Sequence, residues 1–331
     1  MLEIRDVDTS DAARLRAWYD VWAAAQRHRP EVMVQTWESS RRALATPHPG
    51  FAFELFEVRA DGEPAGVGLV NLPQDDNVTV AYVDAMVHPD HRRRGVGTAV
   101  LEEIERRARG AGRTRVLTEV FEQPGGDGGD VAFAEARGYS LANREGMKAL
   151  DLATSEPAWS ALDDEVAAHL GTYRVVTWRD RCPDDLVGGL GAALSRIMSL
   201  IPQGELGLED TDFTVDRVRS LEERRVAIGL ATFESAAVTP DGAVAGLTGV
   251  RASLHDPRVA HLGVTMVLPA HRGRRLGVAV KLASHRALRA EVPACELVVT
   301  SNADVNTHMN AINESLGYRQ LETLLEYHRT L

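Results

Sequence analysis

Val83-Asp84-Ala85-Met86-Val87-His88-Pro89-Asp90-His91-Arg92-Arg93-Arg94-Gly95-Val96-Gly97 decides the reading of this chain, because it occurs twice. The second copy is Gly263-Val264-Thr265-Met266-Val267-Leu268-Pro269-Ala270-His271-Arg272-Gly273-Arg274-Arg275-Leu276-Gly277, with Met-Val, Pro, His, Arg and the last Gly in one register 180 positions on. The correspondence continues outside the motif. Arg137-Gly138-Tyr139 is answered by Leu316-Gly317-Tyr318, and the opening Glu3-Ile4-Arg5-Asp6-Val7 more loosely by Tyr173-Arg174-Val175-Val176-Thr177. Self-similarity at half the chain length reads as a tandem duplication, and 331 residues suit two domains. The boundaries expected are 1–153 and 173–331, with 154–172, which carries Pro157 and a helical stretch ending at Gly171, as linker.

Both copies follow one order of elements. In the first, 12–27 reads as a helix, 51–58 and 65–72 as strands joined at Asp61-Gly62, and 78–87 as a longer strand. The next helix buries a stripe of Val96, Val100, Ile104 and Ala108. A strand at 115–120, a Gly-rich break at 125–129, a short helix and a strand near 148–152 follow. The second copy gives a hairpin around 231–250, strands at 260–267, 296–300 and 321–329, and helices carrying Leu276, Val280, Ala283 and Ala287 and spanning 305–316. The fold class is mixed α/β.

Composition narrows the function. Hydrophobic residues at 44% and charged residues at 26% describe a folded globular chain. A net charge of −11 opposes nucleic acid and anionic membranes and suits a cationic small molecule. No apolar run reaches the ~18 residues of a membrane span, and the chain opens without an apolar signal core. Cys182 and Cys295 lie far apart, without metal-ligand spacing, so no metal and a reduced, cytoplasmic setting are expected.

A strand ending in Val-x-Pro, followed by Arg-x-x-Gly-x-Gly at a helix start, suits one chemistry in particular. The turn directs backbone N–H groups outward, the helix N-terminus adds partial positive charge, and the glycines admit a phosphate to the main chain. A pyrophosphate cradle is expected at Arg92, Arg93, Arg94, Gly95, Val96, Gly97 and Thr98, and again at Arg272, Gly273, Arg274, Arg275, Leu276 and Gly277. A Rossmann fingerprint needs a third glycine and a later acidic residue, and a Walker loop needs Gly-Lys-Ser/Thr; neither is present.

On these motifs the chain resembles the GNAT superfamily of acyl-CoA-dependent N-acyltransferases, in the tandem layout of two-domain actinobacterial members. The resemblance implies two GNAT domains with mostly antiparallel sheets and acetyl-CoA as cofactor. Met86-Val87 and Met266-Val267 would pair with pantetheine, and Asn302 and Asn306 would complete the second cofactor set. Retention of Gly95 and Gly97, against Arg275 in the second copy, favours cofactor binding in the first half. The family's thiolate-protonating Tyr maps to Ala134 and Asn313, and its Asn to Asp127 and Asn306. Its general-base position maps to His261, which alternation would align with Gly263, Thr265 and Val267; the counterpart would be Ala81. His261 is thus the expected base in a catalytic second half, with Glu119 its rival in the first, where Tyr82 and Asp84 occupy the other strand face. The acidic stretch Gln203, Glu205, Glu209, Asp210 and Asp212 is read as acceptor-facing in the second half, with Glu205 the substrate contact. The function implied is direct acetyl transfer to a primary amine of a small molecule, by a monomer or homodimer. The alternatives are a non-catalytic acyl-CoA-binding protein or a protein lysine acetyltransferase.

Overall fold

The computed structural model describes residues 1–30, 33–126 and 128–331. They form two compact units, one of Met1–Arg144, Gln203–Leu208 and Thr323–Leu331, the other of Glu145–Pro202 and Glu209–Glu322. The first unit holds β1 (Leu2–Asp6), α1 (Ala12–Ala25), α2 (Trp37–Ala45), β2 (Phe51–Ala60), β3 (Glu63–Pro73), β4 (Val80–Val87), α3 (Val96–Gly110), β5 (Arg115–Glu122) and α4 (Gly129–Ala136). β6 (Ser140–Asp151) leads into the second, which holds α5 (Glu156–Leu170), β7 (Arg174–Arg179), α6 (Val187–Leu194), α7 (Ile197–Leu200), α8 (Val215–Ala227), β8 (Leu230–Val238), β9 (Val244–Ser253) and β10 (Asp256–Val267). α9 (Leu276–Glu291), β11 (Leu297–Ala303) and α10 (Thr307–Leu316) follow, and β12 (Arg319–Thr330) returns the chain to the first unit.

Each unit contains a sheet that is antiparallel except at one pair. The first runs β1-β2-β3-β4-β5-β12 with β4 and β5 parallel; the second runs β7-β8-β9-β10-β11-β6 with β10 and β11 parallel. The Asp61-Gly62 turn places both residues at positive φ, 54° and 90°, the geometry that matches the twist of a two-residue hairpin. The α3 stripe packs on Phe56, Val58, Val70 and Ala81, while Val278, Leu282 and Leu288 of α9 pack on Phe233, Val250 and Leu262.

The sequence halves and the compact units do not coincide, because the closing strands are exchanged. Thr323–Thr330 of β12 pairs with Arg115–Glu122 of β5, and Glu145–Asp151 of β6 pairs with Leu297–Ala303 of β11. Alternation fixes which face a strand buries but does not name its neighbour. The segment 154–172 carries α5, which is integral to the second core. Trp159 is fully buried and its Nε1 donates to the Leu316 carbonyl at 3.2 Å, and Asp163 accepts from Arg286 at 2.8 Å.

Candidate active site

In both units the parallel pair comes apart where the repeated motif begins. β4 pairs with β5 only from Val80–Val83 to Arg115–Thr118, yet the strands continue to Val87 and Glu122. β10 likewise pairs with β11 only over Val259–His261 and Leu297–Val299. Beyond these points Met86-Val87 and Met266-Val267 border a gap that an extended pantetheine arm can enter as an added strand.

Both turns that follow share one backbone form. Arg93 and Gly95 have φ of 60° and 81°, and Gly273 and Arg275 have 79° and 54°. Gly95 and Arg275 are the N-caps of α3 and α9, with no side-chain cap bond at either. The first-turn amides are therefore left to an external acceptor, and nothing lies within 4 Å of a Cβ built on Gly95 or Gly273. The residues present fit a CoA pyrophosphate at this level. The surroundings differ, however. Arg275 takes a left-handed conformation, as Arg93 does in the first turn, at ~1–2 kcal/mol for a non-glycine residue, and its guanidinium pairs with Glu165 of α5. Arg274 lies over the Tyr173 ring at 5.7 Å, and the Tyr173 hydroxyl is 2.8 Å from His271 Nδ1. In the first unit Arg92 donates to the Ala25 carbonyl at 3.1 Å, Arg137 donates to Thr98 Oγ1 at 2.5 Å, and a Cβ on Gly97 would sit 3.2 Å from the Phe133 ring, a tight contact that asks the ring to shift slightly.

A cavity of about 250 Å³ opens in the first unit at the splay. Leu69, Asn71, Tyr82, Asp84, Leu117 and Glu119 line it from β3, β4 and β5, Glu326 from β12, and Leu206 and Leu208 from the Gln203–Leu208 segment. Asp84 faces Leu69 across β3, and Glu119 lies opposite Glu326 across β12. Burial pushes the Asp84 carboxyl up to about 6 against the opposing charge of Arg29. That guanidinium stacks on Phe121 at 3.4 Å and donates to Gln26 Oε1 at 2.7 Å. Glu326 accepts from Asn143 Nδ2 at 2.7 Å. Burial, and then the Glu326 charge, raise the Tyr82 phenol.

The Gln203–Leu208 segment corrects one expectation. It belongs to the first unit, not to an acceptor site of the second half, held by Arg115 donating to the Leu206 carbonyl at 2.6 Å and Glu205 N donating to the Ala142 carbonyl at 2.9 Å. The Glu205 carboxylate is exposed, 4.0 Å from His328 Nε2, and the cavity wall is made by Leu206 and Leu208.

A β-bulge corrects a second. β10 shifts register between Leu262 and Thr265, whereas β4 pairs with β3 without interruption. Asn71 lies opposite Tyr82, and its copy Arg251 lies opposite His261, so the counterpart of His261 is Tyr82. Ala81 is instead fully buried against α3. The bulge also breaks the expected alignment. Leu262 and Val267 pack toward α9, so His261 shares its face with Met266, which packs toward α6. His261 is exposed to solvent at the residue level, yet the protein around its ring desolvates it; desolvation, and then Arg251, push it down to about 4.

Asn313 is not set as a proton donor. It is fully buried, its Oδ1 accepting from Lys281 Nζ and its Nδ2 donating to Asn302 Oδ1. Desolvation, and then Lys148, pull Lys281 down to about 7. Lys148 itself donates to Asn310 Oδ1, so the only two lysines of the chain meet around α10. Asn306 is the N-cap of α10, its side chain accepting from Met309 N at 3.3 Å. Ala134 is buried, and Asp127 lies outside the described residues. Burial raises the Cys182 and Cys295 thiols to about 12 and about 11, so neither supplies a thiolate at neutral pH. No helix of the described residues is long and apolar enough to cross a membrane.

The splayed parallel pair, the uncapped helix behind a left-handed turn and the adjoining cavity are the features that an acyl-CoA site would use. Residues 13–139 match the family model of the acetyltransferase (GNAT) family. The chain carries a GNAT domain and has the architecture of a tandem GNAT protein. It is similar to a tandem GNAT protein from the clavulanic acid biosynthesis pathway, at 29% identity and TM-score 0.83 over 100% of this chain and 98% of the other. It shares the fold of a GCN5-related N-acetyltransferase from Sphaerobacter thermophilus, at 18% identity and TM-score 0.69 over 99% and 95%. The fold also recurs in the N-myristoyltransferase of Saccharomyces cerevisiae, at 12% identity and TM-score 0.61 over 99% and 79%. A search of curated proteins returns no match.

Proposed function

We propose that the first unit transfers an acetyl group from acetyl-CoA to a primary amine of a small cationic molecule. The observation that carries this reading is the cavity at the β4–β5 splay, where Asp84, Glu119 and Glu326 gather three carboxylates beside the pantetheine gap. Acetyl-CoA, held by Arg92–Gly97 amides and the β4 edge, would supply the activated acyl thioester. The protein's own residues would do the rest. Glu119 and Glu326 draw an ammonium into the cavity, Leu206 and Leu208 close its apolar wall, and Asp84 takes the proton the amine must lose before attack. A carboxyl near 6 is ionised at neutral pH yet more basic than an ordinary aspartate, which suits that task. His261, with a lower proton affinity and Arg251 beside it, is less suited to a cationic acceptor. The relative in a small-molecule biosynthetic pathway supports a small acceptor.

The missing tyrosine at Ala134 and Asn313 favours a second reading, a non-catalytic acyl-CoA-binding protein. Thiol release from acetyl-CoA against a panel of amines separates the two. Polyamines and amino sugars are expected to accelerate release well above hydrolysis, and uncharged aromatic amines are not. Tight acetyl-CoA binding with no amine consumed would leave only the binding reading.

A further inference from the structure

We infer that the second unit holds an anion site, for a small carboxylate or phosphate compound, on the sheet row Thr232–Arg251–His261. These three residues lie directly opposite one another on β8, β9 and β10, so their side chains share one face. Arg251 is half-buried, and its guanidinium makes no hydrogen bond or ion pair among the described residues. Thr232 is 1% exposed, and its buried Oγ1 has no hydrogen-bond partner. Gly263 makes room for the guanidinium, since a Cβ there would lie 2.8 Å from Arg251 Nη2.

The neighbouring charges leave the positive charge of Arg251 uncancelled. Glu234, the acidic group that acts on it, already accepts from Arg225 at 3.1 Å and from Trp178 Nε1 at 3.0 Å. Arg225 adds its own charge, and burial pulls Arg251 down to about 10. A desolvated, unpaired guanidinium is costly unless a ligand completes it, and its planar fork matches the two oxygens of a carboxylate or phosphate.

Comparison of the copies strengthens the assignment. The register positions that carry Asn71, Tyr82, Glu119 and Glu326 in the first unit carry Arg251, His261, Ser301 and Met147 in the second. Duplication has inverted the charge of the cleft, from one that draws cations to one that draws anions. This inference stands independently of acetyl transfer in the first unit.

Isothermal titration of the full chain with succinate, acetate and inorganic phosphate tests it. Saturable binding of at least one probe is expected, weakened about tenfold or more in Arg251→Met and partly retained in Arg251→Lys. Preference between succinate and phosphate identifies the ligand's head group. Calorimetric unfolding of each variant, measured in parallel, reports whether the second unit, which carries Arg251, is folded. If Arg251→Met does not fold, the ¹³C-resolved titration of His261 in the wild-type chain decides. A bound anion offsets Arg251 and moves the His261 midpoint upward. No saturable binding, equal affinity in Arg251→Met, or an unmoved His261 midpoint overturns the site.

Discussion

Asp84 stands where the second copy has Val264, and that difference turns one cleft acidic at its base. Its carboxyl is held near 6, above the ordinary aspartate value, by desolvation. Between about 4 and about 6 the folded chain therefore binds more protons at this site than the unfolded chain, so stability falls as pH rises through that window. Asp84→Asn removes the penalty, and we expect it to stabilise the first unit by about 1–3 kcal/mol at pH 7.5 and to change little at pH 4, as read by urea denaturation. Equal effects at both pH values would mean that the carboxyl is not desolvated. The residues of the cradle were legible in the sequence because glycine and arginine spacing states a local backbone need. The sequence places Asp84 on the strand face beside Tyr82, and only the fold brings Glu119 and Glu326 opposite each other beside it. Asn313 had the family position but lacks the chemistry, since Lys281 and Asn302 occupy its amide.

The strands and the helices of the repeated motif are legible in their order, because hydrophobic periodicity is local, whereas α2, α6, α7 and α8 are not among the elements expected from the sequence. What the pattern left open was pairing. The strand expected at 321–329 is present as β12, but it closes the sheet of the first unit and brings Glu326 into that cavity. The bulge in β10 was equally silent, for a single extra residue leaves no compositional mark while turning Tyr82 rather than Ala81 into the partner position of His261. Deleting Thr323–Leu331 tests the element directly. It uncovers the β5 edge and removes Leu325 and Tyr327 from the first core. We expect loss of the cooperative unfolding transition of the first unit, monitored by calorimetry, even though residues 1–153 are unchanged. An unchanged transition of the first unit would contradict the strand exchange.

At the scale of the molecule, duplication explains why two similar backbones carry unlike clefts. Both units keep the splay and the left-handed turn, since those are backbone properties shared by the copies. The side chains have diverged, with carboxylates around Asp84 in one and Arg251 beside His261 in the other. The net charge of −11 thus conceals two local fields of opposite sign. The most direct test of acetyl transfer in the first unit is the pH dependence of kcat/KM for an accepted amine, in the wild-type chain and in Asp84→Asn. The wild-type profile is expected to rise through an inflection near 6 set by the Asp84 carboxyl, and the variant to lose that inflection with about a 100-fold fall in rate. An unchanged rate and profile in Asp84→Asn would contradict the account.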